Sequence, residues 1–218
     1  MINQSYFFDF YNNLVEGNKA KCEEIVQHLL TKNTDIKEIY TELYQKALYR
    51  IGKLWDQSKI SISEEHVATK IVDHLISSYL PKDQIAKSRG ETAIVTCVDK
   101  EYHEIGAKMA ANILELNGWS TLYLGASVPS KDLIKFIRDK KPKIVGISFN
   151  LYLNLFRLVE LLDHIKKFFP EQMIIIGGQG LKQGDEINLS KYSNTFQFDS
   201  IFALDEFLKK TPLTHAHS

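Results

Sequence analysis

Apolar positions in the first eighty or so residues recur at a helical period. Phe7, Phe10, Tyr11, Leu14 and Val15 share one face, and Gly17 ends that run. Asn18 is a candidate N-cap for a second helix with the stripe Cys22, Ile25, Val26, Leu29 and Leu30. Thr34-Asp35 opens a third, whose face includes Ile36, Ile39, Leu43, Ala47, Leu48, Ile51, Leu54 and Trp55. After the turn Gln57-Ser58-Lys59, Ser61 or Ser63 caps a fourth helix carrying Val67, Ala68, Ile71, Val72, Leu75 and Ile76, and Pro81 stops it. Helices of this length joined by short turns predict a small antiparallel four-helix bundle over residues 1–82.

The period changes after Lys82. Residues 83–91 are polar, contain Gly90 and predict a linker. Short β-branched runs then alternate with helical stretches. Strands are expected over 92–98, 121–124, 143–148 and 173–176, with a weaker one at 196–198. Helices are expected over 106–117, 130–140, 155–169 and 203–210, the second of them capped by Ser130. Alternation of this kind makes a parallel sheet covered on both faces. The predicted class is therefore α/β: an N-terminal four-helix bundle followed by a flavodoxin-like (Rossmann-type) doubly wound, five-stranded parallel sheet over 92–211. Residues 212–218 are expected to form a frayed tail. In such a sheet a ligand sits beyond the carboxyl ends of the strands, at the topological switch point.

Composition narrows the function classes. Lys and Arg number 27, as do Asp and Glu, and 44% of the residues are hydrophobic. A disordered chain would hold fewer apolar residues, and a nucleic-acid binder would usually carry a basic excess. The two cysteines, Cys22 and Cys97, make neither a disulfide framework nor a thiolate zinc site, so a reducing cytoplasm is the expected location. No apolar run reaches the roughly 18 residues of a membrane span. The N-terminus has no basic region of the kind that begins a signal peptide. Neither GxGxxG nor GxxxxGK[ST] occurs, so dinucleotide and phosphate-loop binding are unsupported.

The candidate chemistry lies at the expected strand ends. After the first strand, Asp99, Glu101 and Glu104 surround His103, and Gly106 follows. Gly125 to Pro129 follow the second strand, Ser148, Phe149 and Asn150 the third, and Gly177, Gly178, Gln179 and Gly180 the fourth. A neutral imidazole offers one nitrogen to a metal while the other donates to a carboxylate, and Glu101 is spaced to be that carboxylate. Gly106 lets backbone approach a bulky ligand closely. His28, His74, His164, His215 and His217 lack such company and read as polar surface residues. Tyr102, Tyr123 and Tyr152, near the strand ends, are candidates to line the pocket but read more readily as packing residues.

Glu101-x-His103-x-x-Gly106, Ser148 and Gly177-Gly178 together resemble the cobalamin-binding domains that use an Asp-x-His-x-x-Gly signature. The resemblance spans nearly the whole chain, because a four-helix cap often precedes such domains. It implies that His103 is the lower axial ligand to cobalt, with the dimethylbenzimidazole tail displaced into a slot lined by Ser148, Gly177 and Gly178. Two positions depart from the pattern. Glu101 stands where the family usually has Asp, and Asn150 where Leu or Thr often follows the serine by two.

Ile51-Gly52-Lys53-Leu54-Trp55, leading to Glu64-Glu65-His66-Val67-Ala68, is similar to the cap of CarH-type light-sensing cobalamin regulators. That likeness implies that Trp55 packs on an adenosyl group and that Glu65 and His66 line its pocket, so the cofactor would be adenosylcobalamin. An aromatic face suits a stackable group, and a carboxylate suits ribose hydroxyls. A histidine that commonly follows the Trp in that family is Asp56 here. No DNA-binding module is expected before the bundle. The function expected is a light-responsive signalling module that is not an enzyme and that reports to a protein partner or through its own oligomeric state. The alternative is a corrinoid shuttle protein of a methyltransferase system, which would use methylcobalamin. A third reading is a cobalamin carrier or storage protein.

Overall fold

The structure is a computed structural model that describes residues 2–182 and 189–211. It divides into two compact units, Met1–Asp83 and Gln84–Ser218. The expected tail, with His215 and His217, lies outside the described residues.

In the first unit the short polar residues sit at the helix starts. Asn3 accepts the Tyr6 amide at the head of α1 (Gln4–Val15), and Asn18 accepts the Lys21 amide at the head of α2 (Lys19–Thr31). Gly17, between them, takes the left-handed turn that glycine adopts without strain. Asp35 caps a single turn, α3 (Ile36–Glu38), which runs through a π-helical stretch, Ile39–Gln45, into α4 (Lys46–Asp56). The wider π turns shift the buried face. Tyr40 and Tyr44 join Ile39 and Leu43 in the core, although the expected stripe leaves both tyrosines out. α5 (Ile62–Ser78) opens with a reciprocal cap in which Ser61 and Glu64 satisfy each other's backbone amides, so Ser61 and not Ser63 is the cap. Phe10, Leu14, Val26, Ala47, Val72 and Leu75 complete the core. That core ends short of the α4–α5 turn, where Trp55 is 45% exposed and Val67 49%.

In the second unit, β1 (Thr92–Cys97), α6 (Ile105–Leu116), β2 (Ser120–Gly125), α7 (Ser130–Lys140), β3 (Ile144–Ser148), α8 (Leu155–Phe168), β4 (Met173–Gly177), β5 (Thr195–Gln197) and α9 (Ile201–Lys210) follow one another. The five strands lie in the order β2-β1-β3-β4-β5, all neighbours parallel. Every residue of β3 is buried, as expected of a central strand covered on both faces. The chain leaves β1 toward β2 on one side and resumes with β3 on the other. The switch point therefore falls between β1 and β3. Register pairs Cys97 with Ser148 and Ser148 with Gly177, so these three residues stand abreast at the carboxyl edge.

Ser130 is not the cap of α7. Pro129 holds the N-cap position with extended backbone, and its carbonyl accepts the Leu133 amide. The Ser130 hydroxyl, one residue further on, meets the Nδ1 atom of His164 at 3.0 Å instead. Within the segment expected as a linker, Ala86 donates its amide to Leu116, and the Arg89 side chain reaches the carbonyls of Asn117, Leu208 and Thr211. Among the described residues, no helix is long and apolar enough to cross a membrane.

Candidate functional site

The loops leaving β1, β3 and β4 bring most of the sequence-derived candidates together. The long β1–α6 loop carries Glu101 and His103, and its first turn is tied to the β2–α7 loop. Lys100 donates its amide to the Ser127 hydroxyl, and Ser127 donates its amide to the Glu101 carbonyl. Both Lys100 and Ser127 adopt left-handed backbone, a strained choice for side-chain-bearing residues that such cross-ties hold in place.

Glu101 is fully buried beneath this loop. Five donors converge on its two carboxylate oxygens. Oε1 accepts the His103 amide at 3.1 Å and His103 Nδ1 at 2.7 Å. Oε2 accepts the amides of Asn150 at 3.1 Å and Leu151 at 2.9 Å, and the Asn154 side-chain amide at 3.2 Å. Burial alone would raise this carboxyl. The His103 ring, the Leu151 and His103 amides and Asn154 outweigh it and hold the group down at about 2. The carboxylate can only accept, so the proton of the Glu101–His103 bond lies on Nδ1 and the imidazole lone pair on Nε2. The His103 side chain is 64% exposed, while its carboxylate partner is not.

The other two acids near His103 are committed elsewhere. Asp99 pairs with Arg157 at 3.1 Å, and Glu104 accepts the Tyr123 hydroxyl at 2.9 Å. Tyr123 is thus bound by its hydroxyl, and Tyr102 is exposed, so neither is a plain packing residue. Burial, with Glu101 and Glu104 nearby, pushes the Cys97 thiol up to about 12. Cys97 therefore stays protonated and makes a poor metal ligand.

Ser148 is buried, and its hydroxyl receives the Asn150 side-chain amide at 3.1 Å. The paired glycines after β4 play different parts. A Cβ at Gly177 would make ordinary contact with the Phe198 carbonyl. At Gly178, whose φ is +117°, a Cβ would fall 2.1 Å from the Phe149 carbonyl oxygen. Gly180 is crowded by a side chain rather than by backbone, since its Cβ would meet the Phe149 ring at 2.5 Å. The close passage of this loop over buried Phe149 accounts for two glycines, only one of which belongs to the expected pair. Gly106, in the first turn of α6, borders open space, with no atom within 4 Å of where a Cβ would stand.

Trp55, Glu65 and His66 belong to the first unit. Trp55 lies in the last turn of α4, and Glu65 and His66 in the first turn of α5. Glu65 is engaged on both oxygens, by His66 Nδ1 at 2.7 Å and by the Thr69 hydroxyl at 2.8 Å.

Asn154 escapes the sequence reading as a site residue, and Asn150 enters it only as a residue at the end of the third strand. Asn154 carried a signal, being a lone amide in the apolar run Leu151-Tyr152-Leu153-Asn154-Leu155-Phe156. A buried amide in such surroundings needs polar partners.

The donor set fits a corrinoid. Among the described residues, no three His, Cys, Asp or Glu side chains are grouped to hold a metal ion. A single exposed imidazole backed by a buried carboxylate suits a metal that brings its own equatorial ligands. The open space beside Gly106 leaves room for a bulky group.

Comparison with known proteins agrees. Residues 7–78 match the family model of a B12 binding domain, and residues 91–191 match a second model with the same description. In sequence the chain is similar to trimethylamine corrinoid protein 2 of Methanosarcina mazei, 19% identical over 191 residues that span 84% of this chain and 88% of the relative. It is also similar to the HTH-type transcriptional repressor CarH of Myxococcus xanthus, 24% identical over 131 residues, which are 60% of this chain and 43% of that protein. In fold it is similar to the monomethylamine corrinoid protein of Methanosarcina barkeri, with a TM-score of 0.77 at 16% identity, covering 94% of this chain and 98% of the other. Both units are thus B12 binding domains, and the chain is a cobalamin-binding protein.

Proposed function

We propose that the chain is a corrinoid carrier that holds cobalamin with His103 as the lower axial ligand and presents it to a methyltransferase. The observation that carries this reading is the Glu101–His103 pair: a buried carboxylate fixing the tautomer of an exposed imidazole at the switch point. The trimethylamine corrinoid protein of Methanosarcina mazei, which aligns over most of both chains, supports the carrier role. When bound, the cobalt of the corrinoid supplies an exchangeable alkyl group, and the protein supplies binding, orientation and electrostatics. In this reading Glu101 keeps the proton on Nδ1 and raises the basicity of the ring. Ser148, Gly177 and Gly178 line the slot for the nucleotide tail, and Gly106 leaves the ring edge unobstructed.

A second reading is a light-responsive signalling module using adenosylcobalamin, and Trp55 is the observation that favours it. A large aromatic left half-exposed at the end of α4, in the same unit as the Glu65–His66 pair, is a ready platform for an adenosyl group. The alignment to CarH of Myxococcus xanthus supports it as well.

Binding of methylcobalamin and adenosylcobalamin to the wild type and to Trp55→Ala separates the two. The carrier reading expects methylcobalamin to bind at least as tightly as adenosylcobalamin, with no change in molecular mass on green illumination. The sensor reading expects Trp55→Ala to weaken the adenosyl form about tenfold or more and the methyl form little. It also expects illumination of the adenosyl-loaded protein to change its mass by size exclusion. That outcome would overturn the carrier reading.

A further inference from the structure

We propose that Asn150 is a positioning residue that couples the slot for the nucleotide tail to coordination of cobalt by His103. The proposal rests on the His103-ligated reading above and adds to it an energetic link between its two halves.

The link is visible in one side chain. Asn150 Nδ2 donates to the His103 carbonyl at 2.7 Å and to the Ser148 hydroxyl at 3.1 Å. Asn150 Oδ1 accepts the Gln179 amide at 3.2 Å. His103 belongs to the loop after β1, Ser148 ends β3, and Gln179 directly follows Gly177-Gly178 after β4. A primary amide has two donor hydrogens, and here each has its own acceptor. The group is planar, so the three bonds hold together in only a narrow range of loop positions. Any displacement of Ser148 or Gln179 on insertion of a tail is therefore felt at the backbone of the axial histidine. The Asn150 main chain adds a fourth tie, to the carboxylate that orients the ring.

Cobalamin and cobinamide test the coupling, because cobinamide has the same corrin ring without the nucleotide tail. Both are bound to the wild type, to Asn150→Leu and, should that variant fold poorly, to Asn150→Ala. Two quantities are read: affinity by calorimetry, and nitrogen splitting in the electron paramagnetic resonance spectrum of the cobalt(II) form bound to protein labelled with nitrogen-15 at histidine, where doublets report histidine ligation and triplets report the cofactor's own base. In the wild type the tail is expected to raise both affinity and the histidine-ligated fraction. In the variants the histidine-ligated fraction with cobalamin should fall to the cobinamide level, and the affinity ratio between the two ligands should shrink about tenfold. A purely structural role would weaken both ligands equally and leave the ratio unchanged, and that result would overturn the proposal. So would a wild type that treats the two ligands alike. If the doublets persist in the labelled His103→Ala, it is the His103-ligated reading that falls.

Discussion

Replacing Glu101 by Gln is expected to lower the stability of the cofactor-free second unit on the order of 3 kcal/mol. The cause is the donor count. Five hydrogens point at two carboxylate oxygens in a fully buried position. A glutamine of the same shape turns one of those oxygens into an amide nitrogen. Either the His103 pair of donors or the trio from Asn150, Leu151 and Asn154 then faces another donor. Leaving buried donors unsatisfied costs more than the mean worth of the bonds, because nothing replaces their lost hydration. The size agrees with the depression of the carboxyl from 4.5 to about 2, which is itself worth about 3 kcal/mol. The depressed group also sets a pH dependence. Its folded value lies below its unfolded one, so its contribution is complete above about pH 4.5 and is lost as pH falls toward 2. Urea unfolding of wild type and Glu101→Gln at pH 7 and at pH 3 measures both effects. The gap between them should be widest at neutral pH and should narrow in acid. Equal stability at pH 7 would mean that the donor network carries no weight.

His103→Ala should separate binding from folding. The ring is largely exposed, and Glu101 keeps the Asn150, Leu151 and Asn154 donors when it is gone. The cofactor-free variant loses only the ring's share of the carboxylate's support and is expected to unfold at a urea midpoint between those of wild type and Glu101→Gln. Cobalamin binding, in contrast, should weaken by roughly 10- to 100-fold, the scale seen for changes around a metal ligand. The absorbance spectrum should lose its histidine-ligated form. Together with Glu101→Gln this gives a contrast: one variant mainly loses stability, the other mainly loses the ligand. An unchanged affinity in His103→Ala would remove His103 from the site.

The parts of the fold set by local pattern were legible in the chain. The helical stripes of the first unit, the alternating runs of the second and the caps at Asn18 and Ser61 follow from spacing and from the chemistry of short polar side chains. So does the placement of His103 and Ser148 at strand ends, since a parallel sheet puts its functional loops there. What escaped depends on contacts distant in sequence. The π turn at Ile39–Gln45 buries Tyr40 and Tyr44 for the sake of the bundle's interior, which no window of one helix displays. Gly180 is required by Phe149, some thirty residues earlier. Glu101 was legible as the carboxylate spaced to meet His103, and it and Asn150 both departed from a familiar pattern. The structure shows what each does: Glu101 holds the imidazole together with the main-chain amides of Asn150 and Leu151 and the Asn154 side chain, and the Asn150 side chain ties the His103 carbonyl to Ser148 and Gln179. Ser130 misled because a serine before an apolar run has the appearance of a cap, whereas Pro129 already held that place.

The central claim is that a side chain of this protein, and not the cofactor's own tail, is the lower ligand to cobalt. Labelling every histidine with nitrogen-15 and recording the paramagnetic resonance spectrum of the cobalt(II) cobalamin complex tests it directly. Ordinary nitrogen splits each cobalt line into three, and nitrogen-15 splits it into two. Ligation by His103 predicts that the triplets of the unlabelled protein become doublets, and that no doublets survive in His103→Ala. Triplets that persist in the labelled protein would assign the ligand to the dimethylbenzimidazole tail and contradict the account.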